Sequence, residues 1–328
     1  MKPVGTFWIA ISLVLAAGLP SQAQKQADIK PEPVATGYTS FVSTFETGKQ
    51  KVVPQINPIL VVPLGDRWLI EAEFEFEGEF EREKAAGMWN PWERMMEREI
   101  EYLQVDFLAH RYLTLVAGRF LTPFGIFNER LHPKWIRKLQ PKPLIAALGI
   151  GTGSGNGVML RGGARVASGV NLNYTGYFST LLMEPEGVES DRMAGTRLSL
   201  FFPNQRVEVG SSFGRFLQDE RFNTYGFDAT WQLKPVPLDF RVEYAQSEQG
   251  TKGYWVEGAY RFQRKAEVVG RMEQLFVRGP GGDKQRPMVG FNYYFRDGFH
   301  INFAYGREFR TGADRNISSL GMAYRWVF

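Results

Sequence analysis

Glu71, Glu73, Glu75, Glu77, Glu79 and Glu81 occupy every second position of one segment, with apolar residues or glycine between them. In an extended chain this spacing puts the carboxylates in a row on one face, where they act on ions through their field. Arg161, Arg165, Arg197, Arg241, Arg261, Arg271 and Arg325 fall on the polar faces of other alternating segments, together with Asp228, Glu243, Glu257, Glu267 and Glu273. A further basic group, Arg130, Lys134, Arg137, Lys138 and Lys142, lies in one stretch with a single acidic residue, Glu129, before it. Rings of charge around a narrow passage set ion preference. The basic stretch at such a passage favours anions, and a glutamate row opposed to it sets up a transverse field that brings the preference back toward weak. For each of these residues singly, a salt bridge or a hydrated wall charge is the ordinary role.

No catalytic constellation stands beside these charges. The three histidines are His110 in a tight turn, His132 in the long basic stretch and His300 near a strand end. None has a serine nucleophile or acidic partner in a recognisable pattern, so no enzyme is expected. His132 has no neighbouring ligand spacing that would mark a metal site. The glycine-rich stretch 149–157 lacks the Lys-Ser/Thr ending and the preceding strand of a phosphate-binding loop, and reads as a flexible return. With no cysteine in the chain, thiol chemistry and cysteine-ligated cofactors are excluded, and no cofactor is expected. The formal charge of +4 is too small to point to nucleic acid.

The elements that carry the charges read as strands. Over 67–80, Trp68, Ile70, Ala72, Phe74, Phe76, Gly78 and Phe80 face one way and the glutamates the other. A helical period of 3.6 would mix the two sets. A soluble sheet would leave six like charges on its solvent face, whereas a barrel wall turns them to a water-filled lumen. Roughly 16 segments of about 10 residues alternate in this way, the length of a tilted strand that crosses a membrane. The weakest are 53–62, interrupted by Pro54 and Pro58, and 111–120, where neither face is clearly polar; losing this pair leaves about 14 strands, also an allowed number. Tight and long connections alternate, the long ones including 81–98 and 121–156. The expected fold class is all-β, a transmembrane antiparallel β-barrel of about 16 strands spanning 37–328. Its third long loop, 121–156, is too apolar to dangle: Phe124, Ile126, Phe127, Leu131, Trp135, Ile136, Leu139, Leu144, Ile145 and Leu148 call for burial. It is expected to fold inward and to constrict or plug the lumen.

The two ends agree with this. Lys2, an apolar run over 4–19 and Ser21-Gln22-Ala23 form a secretory signal peptide, 1–23, rather than a membrane anchor. Its removal takes the formal charge from +4 to +3. Residues 24–36, with Pro31 and Pro33, read as a flexible periplasmic segment. A mean hydropathy of −0.27 suits a soluble protein or a barrel that alternates its apolar residues. At the other end, Leu320, Met322, Tyr324, Trp326 and Phe328 share one face.

A terminal phenylalanine on such a strand resembles the assembly signal of bacterial outer-membrane proteins, which assigns that role to Tyr324, Trp326 and Phe328. The signal, the strand count and the inward loop together resemble the general bacterial porins. Gly118-Arg-Phe-Leu-Thr-Pro-Phe-Gly125 is similar to the loop entry of the phosphate-selective porin family, with Leu121 where that family carries a lysine. The resemblance implies passive diffusion of small hydrophilic solutes or ions across the outer membrane, and the loop cations add the expectation of a mild anion preference. It also implies a homotrimer, and contact with outer-membrane lipid, lipopolysaccharide and the barrel-assembly machinery. A channel specific for phosphate or sugar, and a non-conducting structural or adhesion barrel plugged by its own loop, are the alternatives. N-terminal sequencing of protein extracted from membranes is expected to start at Gln24; a chain that retains residues 1–23 would contradict the signal-peptide assignment.

Overall fold

A computed structural model describes residues 32–148, 153–181, 192–217, 221–278, 282–312 and 314–328. The expected signal peptide 1–23 and most of the expected periplasmic segment 24–36 lie outside the described residues. Sixteen strands form the wall: β1 (Val34–Glu46), β2 (Lys49–Leu64), β3 (Trp68–Ala85), β4 (Glu93–His110), β5 (Leu113–Leu121), β6 (Ser154–Ala167), β7 (Val170–Leu181) and β8 (Arg192–Phe202), then β9 (Val207–Phe216), β10 (Asn223–Leu233), β11 (Leu238–Ser247), β12 (Lys252–Phe262), β13 (Ala266–Phe276), β14 (Lys284–Arg296), β15 (Phe299–Arg310) and β16 (Arg315–Val327). Each pairs antiparallel with its neighbours in sequence. The ladder of β1 on β16, from Thr36 with Val327 to Glu46 with Ile317, closes the sheet into a barrel.

Alternation decides which way each side chain points. In the β14–β15 ladder Phe291 faces Phe303 on the outside, at 42% and 50% exposure, while Asn292 faces Asn302 on the inside, each at 1%. The same division runs through β10, where Tyr225 and Phe227 are exposed and Thr224 and Asp228 are buried. The result is an apolar outer face and an enclosed face rich in polar groups, the inverse of a soluble sheet sandwich.

Both weak segments are strands. β2 runs through Pro54 and Pro58; its ladder with β3 skips residues 53–54 and 57–58, so each proline sits where a missing N–H breaks the pairing least. β5 has no clear polar face because Val116 and Phe120 point inward and are buried there. The expected long connection 81–98 is a correction: β3 and β4 continue past the rim as a hairpin, with Lys84 opposite Trp89, and only 86–92 lie between them. Arg82 stacks over Trp89 and Trp92 at 4.9 and 4.5 Å, which supports pairing where the sequence offers no apolar alternation. β1 starts at Val34, three residues before its expected start.

On the expectation that the apolar outer face meets lipid, Phe303→Arg is expected to cost about 2–4 kcal/mol of barrel stability, the usual penalty for a cation near the bilayer midplane. Denaturant titration in phospholipid vesicles measures it; an unchanged midpoint would mean that this face does not meet hydrocarbon.

Candidate channel constriction

The long connection begins where β5 ends and is tied at its own neck. Gly118 holds a φ of +125°, and a Cβ there would collide with the backbone of Leu103. Thr122 N–H donates to Gly153 O at 2.9 Å, and the amide of Asn128 donates to Thr122 O at 2.9 Å and Gly153 O at 2.8 Å. Gly125, at φ +66°, is pressed against the Glu243 carboxylate with no room for a side chain. Its N–H donates to Ser212 Oγ at 3.0 Å. The Glu243 carboxylate then accepts the N–H groups of Ile126 and Phe127, both at 3.0 Å, at the start of the short helix α1 (Phe127–Arg130). These are charge-assisted bonds to otherwise orphaned donors.

Beyond α1 the segment is fastened to the enclosed face by ion pairs. Arg130 forms a bidentate pair with Glu208 at 2.6 and 2.8 Å. Lys134 reaches Glu77 at 2.7 Å, and Lys138 reaches Glu267 at 2.7 Å and Asp239 at 2.9 Å. Arg137 is buried, donates to the carbonyls of Leu131 and His132, and lies over the Phe127 ring. Trp135 lies under Arg325 of β16 at 5.2 Å. The wall reaches back as well: Arg271 donates to Pro141 O at 2.7 Å, Arg286 to Lys142 O at 2.5 Å, and Leu144 N–H, opening a 3₁₀ turn at Leu144–Leu148, donates to Glu273 at 2.7 Å. Of the five expected constriction cations, Lys142 alone is exposed and without an ion pair among the described residues.

The expected wall charges are largely paired too. Arg161 lies on Asp106 and 3.8 Å from Glu71, which also accepts from Gln104 at 2.8 Å. Asn57 donates to Glu73 at 3.0 Å and Glu75 at 3.3 Å. Arg197 bonds Asp228 at 2.7 Å, Arg241 approaches Glu257 at 3.5 Å, and Arg271 contacts Glu273 at 2.7 Å. Arg261 lies 3.5 Å from Glu267 and stacks on Tyr294. Arg165 is exposed near the end of β6, with no ion pair among the described residues. The glutamate row and the loop cations therefore do not confront each other across a gap: Lys134 sits directly on Glu77. Where sequence reasoning treats the charges as ion-facing, the geometry pairs most of them, some within the wall and some, as with Lys134 on Glu77, Lys138 on Glu267 and Arg271 on Pro141 O, as clamps for the segment 122–148.

An apolar cluster completes the attachment. Phe124, Ile126, Phe127, Leu144 and Ile145 pack with Val116, Phe120, Met193, Phe216, Trp255 and Leu275, all buried. Trp255 shares the parity of Glu257 on β12, so alternation alone places it inward. Glu208 and Ser212 follow the same rule on β9 and are buried. Glu101 had no such signal, because strict alternation groups it with the exposed Leu103 and Val105. The described residues nonetheless bring it 3.1 Å from His132 Nε2. Burial, reinforced by Arg137 and Lys142, pushes the His132 imidazole below its ordinary pKa against the pull of Glu101.

The architecture has known counterparts. No family model matches the chain, and no curated protein matches it in sequence. Among solved structures it is similar to OprB of Pseudomonas putida, with a TM-score of 0.61 at 7% identity over 90% of this chain and 92% of that one. It is also similar to OmpF of Salmonella typhi, with 0.60 at 13% over 90% and 97%. The anion-selective porin of Comamonas acidovorans gives 0.58 at 10% over 90% and 99%. The fold is thus that of the bacterial outer-membrane porins.

Glu243→Ala leaves the N–H groups of Ile126 and Phe127 without their acceptor, a loss of about 2–4 kcal/mol for two such donors. Limited proteolysis of the folded barrel is expected to cut within 122–148 faster than in the parent protein. Equal cutting rates would show that the carboxylate does not hold the loop.

Proposed function

We propose that the chain is an outer-membrane channel through which small hydrophilic solutes and ions diffuse passively, narrowed by the segment 122–148. The observation that carries this reading is the closed barrel with an apolar exposed face and an enclosed face of polar and ion-paired side chains. An apolar exterior suits lipid, and a polar interior suits a hydrated path. Export behind the signal peptide 1–23, insertion through the terminal Tyr324, Trp326 and Phe328, contact with lipid and lipopolysaccharide, and assembly as a homotrimer belong to the same proposal. The likeness to porins supports it at the level of fold.

The ion preference is argued from this chain's own charges. Ion pairing offsets the charges of Arg130, Lys134 and Lys138, and Arg137, which keeps its charge on backbone carbonyls, is buried. Lys142 carries the remaining mild preference for anions. A second reading, a barrel plugged by its own loop, is favoured by one observation: the cluster of Phe124, Ile126, Phe127, Leu144 and Ile145 packs against the wall as a core rather than lining a path.

Single-channel recording in planar bilayers separates the two. Large stable steps are expected, with a reversal potential in a salt gradient that moves toward cation preference in Lys142→Glu. Silence from correctly folded protein would favour the plug, and an unchanged potential would remove Lys142 from the path.

A further inference from the structure

We propose that Glu75, Glu101 and His132 form a binding site for a divalent cation of zinc type, which would fasten the long loop to the β3–β4 wall. One ligand atom from each lies within 4.8 Å of the others, drawn from two adjacent strands and the loop that crosses them. Glu101 Oε1 and His132 Nε2 are 3.1 Å apart. Two donors about 2.0–2.1 Å from a tetrahedral zinc stand about 3.3 Å apart, so this edge is already at coordination distance. The third ligand closes on the ion with a movement of the Glu75 side chain.

The backbone is shaped to make this group. In the β3–β4 ladder Glu73 faces Tyr102 and Phe74 faces Ile100, so Glu101 is an extra residue, a β-bulge. Without the bulge its side chain would point outward with Leu103 and Val105. With it, the carboxylate is turned in and is 7% exposed. Bulges are a recurrent means of re-aiming one side chain at a site. Glu101 comes beside the half-buried Glu75, and a cation between two carboxylates this close offsets their mutual repulsion.

The neighbouring cations act on this pair only through their field, and none forms an ion pair with Glu75 or Glu101 among the described residues. Lys134 is on Glu77, Arg137 is on the carbonyls of Leu131 and His132, and Lys142 has no ion pair among the described residues. A second, independent sign is Asn57. It is fully buried and gives its amide nitrogen to Glu73 and Glu75, yet its carbonyl oxygen has no partner. An ordered water beside the site would supply the missing donor. One imidazole nitrogen with two carboxylate oxygens suits zinc and similar first-row ions; magnesium and calcium favour oxygen alone.

The test uses the full chain, refolded in detergent and stripped with EDTA, titrated with zinc chloride by calorimetry and with magnesium chloride as control. One zinc per chain is expected, with no comparable magnesium binding. Affinity should fall at least tenfold in His132→Ala and in Glu101→Gln, and stay unchanged in His110→Ala, whose imidazole sits at the exposed end of β4. Heat-modifiable migration confirms that each variant is a folded barrel. Glu75→Gln, which keeps size and shape, decides the matter if another variant does not fold. The site is overturned if the parent protein binds no zinc, or if folded His132→Ala or Glu75→Gln binds it as tightly as the parent. Binding in micelles does not depend on conduction, so this result stands apart from the channel proposal.

Discussion

A sheet in hydrocarbon cannot leave an edge. Each unpaired peptide group there costs several kcal/mol, and no solvent makes up the loss. The ladder of β1 on β16 meets this constraint, and much else follows from it. Closure turns one face of every strand outward and the other inward, so a period-two sequence becomes a two-faced wall. It also makes an interior that sixteen strands cannot fill with their own side chains. The segment 122–148 is attached to the enclosed face of the wall, and its attachments account for much of the buried chemistry there.

Those attachments explain why so many charges are buried without evident strain. Glu243 and Glu273 accept backbone N–H groups of the loop, Arg271 and Arg286 donate to its carbonyls, and Glu77, Glu208 and Glu267 take its cations. A loop without regular structure brings many backbone polar groups into an enclosed space, and each needs a partner. The wall supplies them as side chains. On the proposed reading, a porin-like channel keeps its constriction in place through the same ionic groups that give its lumen a field, so positioning and selectivity draw on one set of residues.

The wall was legible in the sequence because alternation is a direct imprint of closure. The pattern in 67–80 named β3 and its glutamate face, and the ending at Phe328 named the last strand. Legibility failed where a second constraint overrode the alternation. The polar face of β5 was invisible because Val116 and Phe120 serve the loop rather than water. The extension of β3 and β4 past the rim was missed because stacking of Arg82 on two tryptophans, and not apolar alternation, supports it. Glu101 was missed because a bulge reverses the face its position implies. The loop cations lie together in one segment of the sequence, but their partners belong to strands far away in it, and spacing alone carries no such pairing.

The most direct test of the docked loop in a conducting barrel uses the lack of native cysteine. Leu139 packs onto Gly290 of β14 so closely that a side chain at Gly290 would strike it. In the double variant Leu139→Cys, Gly290→Cys, oxidation and single-channel recording form one measurement. The account predicts an intramolecular disulfide and channels that stay open with conductance close to that of the reduced form. Absence of the crosslink would contradict the docked loop, and a crosslinked barrel that carries no current, made from protein that conducts when reduced, would contradict an open path beside it.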